Sequence, residues 1–132
     1  MNIGDIMSDG TVFAGLSPGT NKPLYTLPED AALKLTFNKA AEYAAQLNQQ
    51  NAFGHNDWRV PTDAELNLLY QNKDTGALSG SFNQNVYYQT GWYRSSTQNP
   101  DLAVFAHVQR FSDGERVWLN GGKSAYVRCV RG

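Results

Sequence analysis

The chain is poor in cysteine, histidine and charge, and it has no long apolar run. Its single cysteine, Cys129, cannot close an internal disulfide, and no zinc site can be built on cysteines. Cys129 stands in an alternating stretch and reads as a small buried hydrophobe. No apolar run follows Met1, so neither a signal peptide nor a transmembrane span is expected in these residues. Charged residues make up only 17% and the net charge is −1, so no bulk field is present to grip a polyanion, and no nucleic-acid partner is expected. The basic residues that gather late (Arg94, Arg110, Arg116, Lys123, Arg128 and Arg131) read as solvated sheet edges and ion pairs. With 41% hydrophobic residues the chain can bury a core, and its 132 residues fit a single domain, 1–132. There is no internal repeat and no low-complexity tract.

The most informative stretch runs from Gly54 through His55-Asn56-Asp57-Trp58-Arg59-Val60-Pro61 to Thr62, with Glu65 three residues on. Pro61 cannot sit inside a helix, and Thr62 with Glu65 forms a capping box, so a second helix begins here and runs to about Asn72. Leu66, Leu69 and Tyr70 form its inward stripe. An earlier helix spans about 37–50 with Thr36 as N-cap, and Phe37, Ala40, Ala41, Ala44 and Leu47 recur at helical spacing. Ahead of it, 9–15 reads as a turn and a short strand, 17–23 as a loop, and 24–27 as a returning strand. Residues 73–91 form a long loop carrying Leu78, Phe82, Val86, Tyr87 and Tyr88.

From Trp92 on, the pattern is all strand: 92–97, 102–111, 116–120 and 125–131, an antiparallel meander. Asp113-Gly114 suits a two-residue turn, which sets Phe111 opposite Arg116. One face then carries Val104, Ala106, Val108, Val117 and Leu119, with Arg110 near its end, and reads as core. The other carries Phe105, His107, Gln109, Phe111, Arg116, Trp118 and Asn120, a mixture of rings and polar tips.

Four motifs, taken in order, resemble a bacterial domain family named for the C-terminal region of a collagen-like adhesin, a domain of unknown function. They are Asp9-Gly10-Thr11-Val12-Phe13-Ala14-Gly15, Asp57-Trp58-Arg59-Val60-Pro61-Thr62 with Glu65-Leu66, Ser95-Ser96-Thr97, and Tyr126-Val127-Arg128-Cys129-Val130-Arg131. The chain departs from the family in carrying Arg94 where a Trp usually precedes the Ser-Ser pair. The resemblance implies an α+β, C-type-lectin-like fold, with two helices packed on antiparallel sheets and the termini near each other. It also favours a secreted or cell-surface setting. The same fold class includes formylglycine-generating enzymes and the variable receptor-binding proteins of diversity-generating retroelements, so fold alone transfers no function.

Trp58 and Arg59 suit either a stacking platform with a carboxylate clamp or a scaffold in which Arg59 meets Glu65 or Asp57. The scaffold reading is the expectation for Trp58, Arg59, Thr62 and Glu65. His55, Asn56, Asp57 and Asp63 offer too few carboxylates for calcium, and no metal or other cofactor is expected. Ser95, Ser96 and Thr97 lack a glycine-rich elbow, and a formylglycine-generating reaction would call for a second cysteine, so an enzyme is not expected. The candidate ligand-binding residues are Trp92, Arg94, Phe105, His107, Gln109, Arg116, Trp118 and Asn120. They suit a glycan or a protein ligand in a non-catalytic recognition module, with a structural or oligomerisation module as the alternative.

Overall fold

The computed structural model describes residues 1–85 and 91–132. Two strands, β1 (Val12–Leu16) and β2 (Pro23–Thr26), are followed by helix α1 (Phe37–Gln49) and helix α2 (Asp63–Gln71). Then come β3 (Trp92–Gln98), β4 (Phe105–Arg110), β5 (Arg116–Asn120) and β6 (Val130–Arg131). Among the described residues the fold is α+β, with two α-helices and two three-stranded antiparallel sheets, ordered β1-β2-β6 and β3-β4-β5. Val86, Tyr87 and Tyr88 of the long loop lie outside the described residues.

Both helices start where short-range chemistry directs. The Thr36 hydroxyl accepts from the Lys39 N–H at 3.3 Å. Thr62 accepts from the Glu65 N–H while the Glu65 carboxylate accepts from the Thr62 N–H, a reciprocal box. Leu66 and Leu69 then enter one apolar cluster with Val12, Leu24, Leu78, Phe82, Tyr93 and Phe111. Ala40 and Ala44 enter a second with Leu27, Trp58, Val127 and Cys129. Ala41, expected on the inward stripe of α1, is exposed.

The last stretch corrects the four-strand meander. Of the strands expected there, β3, β4 and β5 share a sheet, while β6 pairs with β2 in the other. On the way, Ala125 bridges Leu35, and Tyr126 bridges Tyr93 in parallel. Val127 and Cys129 enter the second cluster, while Val130 enters the first and Tyr126 packs against it. The alternation therefore sorts side chains between two cores, not between core and solvent. Arg128, expected at a solvated edge, is fully buried in this partition and bonds to Asp30, the Leu27 carbonyl and Ser81.

The β4–β5 turn is also longer than two residues. Arg110 N–H bonds the Glu115 carbonyl, so 111–114 form the loop and Gln109, not Phe111, faces Arg116. Phe111 leaves the ladder to pack on Tyr93 at 4.4 Å and Phe82 at 4.9 Å between ring centroids. Burying that ring outweighs extending the ladder. The shift is two residues, so the face assignment within β4 and β5 is unchanged. Val104, assigned to the core face, instead lies before β4 and is 61% exposed, because the Asn99-Pro100 turn runs on to Phe105.

Two outcomes follow. Burial pushes the Cys129 thiol up to about 12, so it should resist a thiol reagent at pH 8 in the native chain and react at once in denaturant. Fast native labelling would contradict this packing. Burial alone would raise the Glu65 carboxyl, but Arg59, the Thr62 N–H and Ser17 outweigh it and hold it at about 2 against an ordinary 4.5. The stabilisation from this depressed carboxyl is complete above the unfolded value and is lost as pH falls from about 4.5 towards about 2. Glu65→Ala should cost about 3 kcal/mol at pH 7 in denaturant melts, with a smaller penalty at pH 3.

Candidate functional site

The expected binding residues do not share one face. Across the β3–β4 ladder Trp92 stands opposite Arg110 and Arg94 opposite Val108, while Tyr93 stands opposite Gln109. Paired residues project to the same side. Trp92 and Arg94 therefore lie on the aliphatic side of this sheet, behind Phe105, His107, Gln109, Arg116, Trp118 and Asn120. Trp92 sits under the Arg110 guanidinium, 5.0 Å from its ring centroid. Arg94 is fully buried, with Nη2 donating to the Lys123 carbonyl at 2.6 Å.

The remaining six divide by how α2 covers them. Gln109 is buried, its Nε2 donating to Asn67 and to the Gly114 carbonyl. His107 and Phe105 are half-buried; Arg116, Trp118 and Asn120 are exposed on the edge strand β5. Trp118 is 39% exposed, yet its ring is stacked on His107 at 3.6 Å with 15° between planes. His107 Nδ1 in turn donates to Asp63 Oδ2 at 3.0 Å. Asp63 is the first residue of α2, where the helix dipole and the Ala64 N–H favour a carboxylate. Its hydroxyl partner Thr97 comes from β3. Burial raises the Asp63 pKa, but His107, the Ala64 N–H and Thr97 together bring it below the ordinary value. A chain of contacts thus runs from helix start to acid to imidazole to indole. The sequence offers Asp63 only as a metal ligand, so this link is not legible there.

Trp58 is only 2% exposed, with its indole N–H on the Ala52 carbonyl at 2.8 Å and its own backbone N–H and carbonyl on the Asn48 amide. Arg59 clasps Glu65 through Nη1 and Nη2, and Ser17 donates to the same carboxylate at 2.7 Å. Around them lies a cavity of about 470 Å³ between α1 and β3, walled by Ala40, Ala41, Ala44 and Ala45 and by Trp58, with Arg94 at its β3 side. The alanines of α1 signal close approach in sequence; here they leave space. His55 pairs with Asp9 and Asp57 with Arg131, so these residues do not converge. Among the described residues no group of three or more His, Cys, Asp or Glu gathers to hold a metal ion, and no helix is long and apolar enough to cross a membrane.

The family model described as Lcl C-terminal domain matches residues 19–131. The chain belongs to the Lcl C-terminal domain family. The match opens in the loop after β1 and takes in both helices and every strand from β2 onward, so all of the candidate site falls inside it. The Asp9–Gly15 motif falls outside. No curated protein matches the chain.

The stack should depend on its acid. Asp63→Ala should cut the near-ultraviolet dichroism that Trp118→Phe also removes, at a stability cost of about 1 kcal/mol. An unchanged Trp118 signal would show that Asp63 does not orient the rings.

Proposed function

We propose that this Lcl C-terminal domain is a non-catalytic recognition module of C-type-lectin-like fold, part of a bacterial or phage surface or secreted protein, that takes a glycan or protein ligand on β5. One observation carries the reading: the exposed Trp118 ring is stacked on His107, which Asp63 in turn holds by a hydrogen bond. A pre-oriented ring loses little conformational freedom on binding, and Arg116 and Asn120 flank it on the same side of β5 with their side chains exposed. That set suits stacking on a sugar or anchoring a protein surface. The lectin-like reading is supported by two helices beside antiparallel sheets and by a sheet that joins β1 and β2 to β6 at the other end of the chain.

A second reading has its own observation. Leu102 and Val104 are exposed in the loop before β4, and among the described residues β5 is an open sheet edge, so this side also suits a subunit interface. Sedimentation at several concentrations distinguishes the two, since a concentration-dependent dimer lost in Val104→Asp favours the interface.

Trp118→Ala with Arg116→Ala should reduce capture on a glycan array or a panel of host-surface proteins at least about tenfold, with the melting temperature nearly unchanged. Trp58→Ala should instead cost about 3 kcal/mol or more of stability. Undiminished capture by the double variant would overturn the assignment of β5 as the site.

A further inference from the structure

On the aliphatic side of the β3-β4-β5 sheet, behind Trp118, lies a groove of about 460 Å³. Trp92, Val108, Val117 and Leu119 form its floor. Alternation makes this side core, yet the fold closes it only in part. Val108 is buried, whereas Trp92, Val117 and Leu119 stay half-buried. Residues 123–125 border the groove. They are fixed to the sheet beside β3: the Lys123 carbonyl accepts from Arg94 Nη2 at 2.6 Å, and the next residue, Tyr126, donates its N–H to the Trp92 carbonyl.

Two cations stand on this border. Lys34 and Lys123 both line the groove, and both side chains are exposed. Leu35, next to Lys34, exchanges backbone hydrogen bonds with Ala125 in both directions, so the two lysines ride on adjacent stretches of chain. Among the described residues neither ammonium meets a carboxylate, and Lys34 Nζ lies 5.9 Å from the Tyr126 ring centroid. The other cation near the floor, Arg110 over Trp92, is spent on Asp113 and Glu115. No acid among the described residues lines the groove. Both ammoniums sit in water on flexible four-carbon stems, so a ligand lying on the floor can draw them to its head.

We propose that this groove binds an amphipathic carboxylic acid, its apolar body on Trp92, Val108, Val117 and Leu119 and its carboxylate on Lys34 and Lys123. Each ammonium is a point-like donor, and a carboxylate offers one oxygen to each. The groove lies within the size range of small-molecule sites. Its floor crosses three strands, a width of about 10 Å, which suits a medium-length alkyl chain or a two-ring aromatic body. The floor has no polar group to meet hydroxyls, so a sugar would lose hydrogen bonds on it. That separates this site from the polar strip on β5.

Calorimetric titration of the full chain with octanoate and 2-naphthoate, each beside its primary amide, tests the site. Each acid should bind one per chain, at least about fivefold tighter than its amide. Raising the salt should weaken the acids and leave the amides unchanged. Acetate, a head without a body, should bind at least about tenfold more weakly than octanoate. Lys34→Gln with Lys123→Gln, both at exposed positions, should bring each acid to the affinity of its amide without moving the melting temperature. Val117→Asp should weaken the acids at least about tenfold by setting a carboxylate in the floor. Should that variant not fold, the lysine pair decides alone. The proposal is overturned if the native chain shows no saturable binding of either acid. Equal affinity for acid and amide, equal affinity for acetate and octanoate, or undiminished acid binding by the double lysine variant would overturn it as well.

Discussion

One buried carboxylate ties the two halves of this molecule together. Glu65 accepts from Arg59, from Ser17 just after β1 and from the backbone of Thr62 at the start of α2. Arg59 also reaches the carbonyl of Gly132, and its backbone bridges Val130 in both directions. A first sheet, a helix start and the chain's last residues therefore share one ion pair. Each oxygen of the carboxylate has at least two donors, which is the condition under which a buried charge adds order without a large unpaid desolvation cost. Thr62 and Glu65 belong to a local motif, but in this fold their larger effect is long-range.

The second constraint is the segment from Ala125 to Arg131, which has core on both sides. Val127 and Cys129 face the α1 cluster, and Val130 and the Tyr126 ring face the α2 cluster. Arg128 lies on the Tyr126 side, over the Phe82 ring at 4.1 Å and paired with Asp30. It pins residues 27–31 to the loop around Ser81. The two apolar clusters remain distinct because a strand-like stretch with its own hydrogen bonds runs between them, leaving α1 and α2 to pack on separate faces. That separation sets α2 across β3 and β4, where Asp63 can reach His107.

How much of this is legible in the sequence depends on the range of the interactions that decide it. Helix starts at Thr36 and Thr62 need only three or four residues, and both are plain. Face parity in β4 and β5 has a period of two and withstands a misjudged turn. The turn length does not, because Phe111 is drawn away by Tyr93, Phe82 and Tyr70, none of them near it in sequence. Alternation in 125–131 says that two faces differ, not that both are buried, so it does not show that β6 joins β2. That Trp92 and Arg94 lie behind the Trp118 face is not legible, because the β3–β4 register crosses a loop and an irregularity between Arg94 and Gln98 that no residue pattern announces. Family membership covers residues 19–131, yet it does not say which of these surfaces meets a ligand.

Two arginines, Arg94 and Arg128, are equally inaccessible and yet opposite in character. Arg128 has an acid, two carbonyls, a hydroxyl and an aromatic face around it, so removing it would orphan several buried groups. Arg94 has one carbonyl, and removing it would orphan only that. Burying a charge costs free energy wherever it occurs, and the fold recovers that cost at Arg128 through its partners. At Arg94 it does not, although a half-buried or apolar side chain would fit the aliphatic side of the sheet at no such cost. Trp118 on β5 carries no such cost: its ring is stacked on His107 and is 39% exposed.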